Sequence, residues 1–589
     1  MRFGFGLSLA AKGKASTALG GGGGGGGPVL SPATFTMTQV AEEKSFPRLT
    51  ETDGGYGKGT GTVPLTLNVV TAGAVYARCR AANGTVVQEP WLVGAEIPTG
   101  SRVVPIVGVD ASPDYFYLDT SGDGVTWNNG TTLIALGVAV AMVGEQSLGV
   151  RMVGAVPAAT VEAGDRAADY GITVNPRTAI YGKYTDSARS SPEAAWSKPS
   201  QVGTFDSVGI IHLLGELQEQ LGVHVYAGVC PVGSTSLEDH VVGGAHFADV
   251  DAILTEIGGC EYAMSFIGHT DAGYGHTNRW YRTYLNALFQ FVALKNVRGN
   301  NFTPIVLTIP NCDPNNFGTE EQKNVIRRAG YDFVKIDCPA DYARPAVYVQ
   351  NYNVDLTEDE VHQTQLGSLD LAESILLGLS GVDVSQGDGT IAPRPVINLN
   401  LTDETFTSPG RFLAAGLDGG GGSFDVDGKS SYGTVSQGVW FKRPLPDSMQ
   451  IIYGTGSACW LAIQDDGHLH LNSGGDTIST NVEYNDGWNW IVLDEDHNPY
   501  DGDPTATVML NGVPVPGLIG VPHTAQTTNN DNGVRQYNGG GYTFDPSTVS
   551  EYTSWNKLLG TFVPSAAFTG NEAHLMAYFP LNGSGAGLV

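Results

Sequence analysis

Apolar positions along this chain follow two different rhythms, and the rhythm changes twice. Over residues 33–136, short apolar or alternating runs (TVPLTLNVV, AVYARCRA, RVVPIVGVD, DYFYLDTS) sit between Gly, Asn, Asp and Pro, which predicts strands closed by turns and hence a β-sandwich. Over residues 137–382, the runs GVAVAMVG, VHVYAGVC, YAMSFIG, TPIVLTIP and YDFVKID read as buried parallel strands. Between them lie amphipathic stretches, among them SVGIIHLLGELQEQLG, NRWYRTYLNALFQFVALKN, TEEQKNVIRRAG and LGSLDLAESILLGL. In the second of these, Trp280, Tyr284, Ala287 and Leu288 share one helical face. Strand–helix alternation predicts an α/β region with right-handed crossovers. Residues 383–395 form a linker rich in Gly, Ser and Pro, and residues 396–589 return to an all-β pattern (GVWFKRP, MQIIYGTG, CWLAIQ, HLHLNS, NWIVLDE), long enough for a two-sheet sandwich. The fold class expected is therefore multidomain, α/β plus all-β.

Composition sharpens this picture. Glycine supplies 80 of 589 residues, about double its usual ~7% share, and only 15% of residues are charged, as expected of β-rich chains with many tight turns. Residues 1–32 carry eight consecutive glycines, Gly20 to Gly27, which read as a flexible tether behind a short N-terminal peg. The first residues, MRFGFGLSLAAKGKA, have too short an apolar centre for a secretory signal, and no window is apolar for the ~20 residues of a membrane span. A formal charge of −29 argues against nucleic acid and anionic membranes as partners. The six cysteines are scattered without a CxxC pair, and His224, His240, His246, His468 and His470 make no zinc-ligand pattern, so neither metal nor cofactor is expected. The segment Leu118 to Gly124 resembles a calcium loop but lacks its terminal Glu, so a β-turn is the expectation. The acidic segments Asp494–His497 and Asp501–Asp503 read as a solvated hairpin tip.

In open α/β sheets, ligands sit beyond the carboxyl ends of the strands. The residues there are Glu145-Gln146-Ser147, then Pro231-Val232-Gly233-Ser234-Thr235, then His269-Thr270-Asp271; Asp359-Glu360-Val361-His362 precedes the last helix. A hydroxyl nucleophile needs a base within reach and a third group to orient that base, and Asp and His three residues apart can meet on one turn. A glycine such as Gly233 lets backbone N–H groups approach a developing oxyanion. Asp359 and His362 also have a plainer reading, as a helix N-cap with a surface imidazole.

Taken in order, VGEQSLG, VGSTSL, IGHTDA and DEVHQTQLG resemble the SGNH/GDSL hydrolase superfamily, specifically its sialate O-acetylesterase-like carbohydrate esterases. The resemblance covers roughly residues 137–380 and implies a flavodoxin-like three-layer fold that hydrolyses O-acetyl esters of carbohydrates. It implies Ser147 as nucleophile, His362 as base and Asp359 as its orienting carboxylate. Ser147, Gly233 and Thr270 would supply oxyanion donors, and Gln146, His269 and Asp271 would line the substrate. Leu148 and Thr270 stand where many members carry Asn.

Farther along, Asn485-Asp486-Gly487-Trp488-Asn489-Trp490-Ile491 and Met509-Leu510-Asn511-Gly512 resemble laminin-G/concanavalin-like jelly rolls, often glycan binders. The tether and the β–α/β–β layout resemble bacteriophage tail proteins. That likeness implies a virion or extracellular location, a host polysaccharide substrate, other tail proteins as partners and a homotrimer. Two further readings compete with the esterase: a non-catalytic glycan-binding or structural tail protein with an inactive hydrolase fold, and a lipase or thioesterase using the same triad.

Overall fold

In the computed structural model, the residues described are 30–42, 44–50, 59–145, 147–153, 172, 178–182, 195–197, 207–276, 278–307, 309, 318–350, 362–384, 396–398, 435–445, 450–455, 459–473, 476–496, 505–522, 532–537, 548–569, 572–579 and 586–588. The peg and glycine tract, Gln146, Asp359 and residues 385–395 of the linker lie outside them, as do His497 and Asp501–Asp503.

The first seven strands are β1 (Thr34–Thr38), β2 (Ser45–Thr50), β3 (Thr60–Thr71), β4 (Gly73–Ala81), β5 (Val86–Ile97), β6 (Gly100–Asp110) and β7 (Phe116–Ser121). Alternation in β3 turns Val63, Leu65, Leu67 and Val69 inward and leaves Pro64, Asn68 and Val70 outside. β1, β2 and β6 pair antiparallel with β3, while β4 pairs antiparallel with β5 and β7. Where a calcium loop was weighed, Asp119 is buried against Arg78 and Arg80, and Asp123 caps a turn by accepting from Val125 N and Thr126 N.

The α/β part begins with β8 (Ala135–Glu145) and α1 (Ser147–Val153), then β9 (Ala179–Gly182), β10 (Ala195–Ser197), α2 (Val208–Leu221), β11 (His224–Pro231) and α3 (Phe247–Ile257). It continues with β12 (Tyr262–Phe266), α4 (His269–Gly273), α5 (Asn278–Lys295), β13 (Thr303–Leu307), α6 (Glu320–Asp332), α7 (Cys338–Asp341), β14 (Val347–Val349) and α8 (Gln365–Leu379). Strands β9, β11, β8, β12, β13 and β14 lie side by side and parallel. Taking β8, β11, β12, β13 and β14 in chain order, their spatial order is 2-1-3-4-5, that of a doubly wound sheet whose switch point falls between β8 and β12. Both neighbours of β8 are nearly apolar throughout, as strands covered on two faces must be.

Local chemistry explains the helix ends. Ser207, Thr319 and Thr364 cap α2, α6 and α8 with their hydroxyls, and Gly222 closes α2 at φ 64°.

One expectation fails here. YDFVKID is not a strand: Tyr331 and Asp332 end α6, and Phe333–Asp337 continue as a π-helical turn into α7. Phe333, Val334 and Asp337 are buried while Lys335 is exposed, a one-sided pattern that a seven-residue window cannot tell from a strand. The strand in that place is the shorter β14. The expected boundary at residue 136 falls inside β8, and β2 pairs parallel with its first residues, Ser45 with Ala135 through Pro47 with Gly137. The antiparallel strands thereby join the parallel sheet.

In the last region two sheets share one core. Val439, Phe441, Ile491, Leu493 and Val508 from one meet Cys459, Leu461, Ile463, Leu469 and Leu471 from the other. Trp490 is fully buried and Trp488 is exposed at 41%. This region is bonded to the α/β part: Asn286 Nδ2 donates to Asn556 O at 3.1 Å, and His574 N donates to Asp337 Oδ1 at 2.8 Å. Arg282 bridges Asp337 and Leu575 O.

Candidate active site

β8 ends in a bulge. Its register with both β11 and β12 slips just before Glu145, and Gly144 sits at φ 63°. A Cβ at Gly144 would lie 2.6 Å from Leu288 Cδ2 and 3.2 Å from Ser265 Oγ, so glycine is required by both conformation and space. Ser265 Oγ donates to Gly144 O at 3.2 Å and fixes the bent carbonyl. The bulge turns the chain so that Ser147 opens α1 beyond the carboxyl end of the sheet, at the switch point.

Across from it, His362 Nε2 lies 2.9 Å from Ser147 Oγ, although 215 residues separate the two. Both side chains are half-buried. Nε2 is the nitrogen that a serine-activating imidazole uses, with Nδ1 turned toward an orienting carboxylate. The next residue, Gln363, is buried and its Nε2 donates to Leu148 O at 2.7 Å. Two residues further on, α8 begins, and Ser368 Oγ donates to Arg151 O at 3.4 Å. The segment bearing the imidazole is thus tied to the helix that bears the hydroxyl.

The other strand-end loops are tied as well. Gly233 is exposed, with open space where a Cβ would stand, and Ser234 follows at φ 60°. Thr235 Oγ1 pairs with His240 Nε2 at 2.9 Å, and Leu237 N donates to Asp271 Oδ1 at 3.1 Å. Asp271 is fully buried, and burial pushes its carboxyl above the usual range against the opposing pull of His276, whose Nδ1 lies 3.2 Å from Oδ1. The His276 ring stacks on Trp280 at 3.5 Å. Burial, then the neighbouring His246, pushes His240 down to about 3, so its imidazole is neutral at ordinary pH.

The structure brings Ser147 and His362 together and puts Gly233, on a loop, and Thr270, in the first turn of α4, at the same end of the sheet. His269 and Asp271 are buried rather than open to a ligand; Asp271 instead holds the Gly233 loop through Leu237. Gln146 and Asp359 lie outside the described residues. Sequence reasoning missed Gln363, Ser265 and the Asp271–His276 pair. Gln363 had one signal, its position directly after His362. Among the described residues, no group of three or more His, Cys, Asp or Glu is placed to hold a metal ion. No described helix is long and apolar enough to cross a membrane.

No protein-family model and no curated protein matches the chain. Among solved structures it is similar to a carbohydrate acetylesterase from Xanthomonas citri at 12% identity and a TM-score of 0.38, over 83% of this chain and 99% of that one. A protein from Arabidopsis thaliana is similar at 11% identity and a TM-score of 0.30, over 41% of this chain and 98% of that one. A sialidase from Trypanosoma rangeli is similar at 16% identity and a TM-score of 0.17, over 22% of each chain. At these TM-scores the likenesses carry no argument about this chain.

Proposed function

We propose that this chain is a serine ester hydrolase of the SGNH/GDSL type that removes O-acetyl groups from a carbohydrate. The observation that supports this reading is the 2.9 Å approach of His362 Nε2 to Ser147 Oγ at the switch point of a doubly wound sheet. In the proposed reaction, His362 takes the Ser147 proton as the oxygen attacks the acyl carbonyl. The tetrahedral oxyanion is met by N–H groups of Ser147 and Gly233, with the Thr270 hydroxyl as a third donor. Collapse breaks the bond to the sugar oxygen, which leaves with the proton from His362. Water, deprotonated by the same imidazole, then hydrolyses the acyl-enzyme. Asp359 orients the imidazole, as the family resemblance implies. The resemblance to tail proteins extends the proposal to a trimeric virion protein acting on host surface polysaccharide.

The test is acetate release from acetylated polysaccharide and from p-nitrophenyl acetate by the wild type and by Ser147→Ala. The expected result is a loss of at least about 10⁴-fold in turnover. Equal rates, or no rate from either protein, overturn the proposal. That outcome would favour a glycan-binding tail protein with an inactive hydrolase fold, a reading supported by Leu148, an apolar and fully buried side chain where the family often carries Asn.

A further inference from the structure

The amino ends of the parallel strands border a second concavity. Tyr262, Thr303 and Val347 open β12, β13 and β14, and all three line a cavity of about 910 Å³. That volume lies within the ~300–1,000 Å³ range of small-molecule sites. Ser147 stands beyond the opposite ends of the strands. The five residues of β12 alone put about 13 Å of sheet between the two places, at ~3.3 Å per residue.

The cavity wall holds three cations, Arg298, Arg344 and Lys335, and one carboxylate, Asp383. Behind the wall a single carboxylate, Glu261, is shared by three guanidinium groups: Arg48 Nη2 at 2.9 Å, Arg298 Nη1 at 3.0 Å and Arg344 Nη1 at 3.3 Å. Cations gather here in a chain with only 31 Lys and Arg against 60 Asp and Glu. Burial pushes the Arg344 guanidinium below its ordinary value, and the charge of Arg48 pushes it the same way. Burial likewise lowers Arg298, with Glu261 opposing. An anion in the cavity would relieve both effects. Arg344 Nε donates to Asn301 Oδ1 at 3.1 Å, which orients the planar fork, and a guanidinium fork matches a carboxylate in a way a point charge does not. Of the remaining polar lining, Asn301 offers an amide, and Ser380 Oγ, which donates to Leu377 O, offers its lone pairs to a polyhydroxylated ligand; the Thr50 hydroxyl is already engaged with Thr60.

We propose that this cavity is a binding site, separate from Ser147, for a carboxylate-bearing sugar of the uronic-acid class. Arg344 and Lys335 hold the carboxylate, and Asn301 and Ser380 hold the hydroxyls of the ring. The site concerns binding alone and does not depend on ester cleavage.

Calorimetric titration of the full chain with D-glucuronate tests this, with D-glucose and inorganic phosphate as comparison probes. Saturable glucuronate binding is expected, with glucose at least about tenfold weaker. Arg344→Ala and Lys335→Ala should each weaken glucuronate by a similar factor. Lys335 is exposed, so its replacement leaves the fold intact and keeps the test valid if Arg344→Ala lowers the melting temperature. Equal affinity for glucose, phosphate binding without glucuronate binding, no saturable binding at millimolar glucuronate, or unchanged affinity in Lys335→Ala would each overturn the proposal. Repeating the titration on Ser147→Ala separates this result from the fate of the hydrolytic reading.

Discussion

Replacing Gln363 with leucine keeps a side chain of similar size and removes its amide, and with it the bond to Leu148 O. The side chain is buried and gives its amide N–H to Leu148 O at 2.7 Å. A net intramolecular hydrogen bond contributes about 1 kcal/mol, so Gln363→Leu should cost about that much stability. In melting temperature this is a shift of about 2–4 °C. Turnover should respond far more strongly. The bond ties the residue after His362 to the residue after Ser147, and under the proposed mechanism it therefore sets the gap across which the proton moves. A catalytic group displaced by about 1 Å costs about 10²-fold in rate. The expected result with p-nitrophenyl acetate is a kcat lower by about 10–100-fold and a KM within about twofold of wild type, because no ligand contact is lost. Steady-state kinetics and a thermal melt on the same preparation measure both quantities. If kcat falls no further than about twofold while the melting temperature drops, Gln363 is an ordinary buried residue and the clamp argument is refuted.

Gly144→Ala places a Cβ 2.6 Å from Leu288 Cδ2 at a backbone φ of 63°, so urea unfolding should show a loss of about 1–3 kcal/mol; an unchanged midpoint would contradict the need for glycine. His240 is held near 3 in the fold against about 6.5 unfolded, so its contribution is complete above pH 6.5 and is lost as pH falls toward 3. His240→Gln should flatten the decline of unfolding free energy between about pH 6.5 and 4, and an unaltered slope would show that the imidazole is not kept neutral. For Asp341, burial raises the carboxyl, but hydrogen bonding to His574 and the charges of His574 and Lys557 outweigh it and hold it below its ordinary value. The stability it adds is present above about pH 3.9 and lost as pH falls through the folded value. Asp341→Asn should therefore lower the melting temperature at neutral pH and flatten the acid limb seen by calorimetry; a parallel acid limb would count against the pairing.

The approach of Ser147 to His362 was legible because each partner has a local signature: Ser147 follows a buried strand whose apolar run closes at Gly144, and His362 lies just before a helix capped by Thr364. The parallel strands were legible wherever their apolar runs were continuous, and β14 escaped because only three residues of it pair. Phe333–Asp337 misled because a helix buried on one side and a short strand offer the same few apolar letters. His269 and Asp271 were read as facing a ligand from their place after β12. The turn into α4 rotates both inward, and a rotation of that kind depends on Leu237 and His276, contacts distant in sequence or formed only on folding. The change of rhythm near residue 136 marked a real shift in connectivity, but backbone pairing of β2 with β8 leaves no compositional trace.

That pairing bears on how the protein can be divided. The amino end of the strand leading to Ser147 has its first rungs supplied by Ser45–Pro47, some ninety residues earlier in the chain. A fragment trimmed to begin at residue 137 would lose Ala135 and Leu136 together with the strand that pairs with them, and would strip Arg48 from the buried carboxylate of Glu261. The α/β segment is in this sense a tenant of the antiparallel layer, and an excerpt that keeps its fold has to start upstream of residue 45.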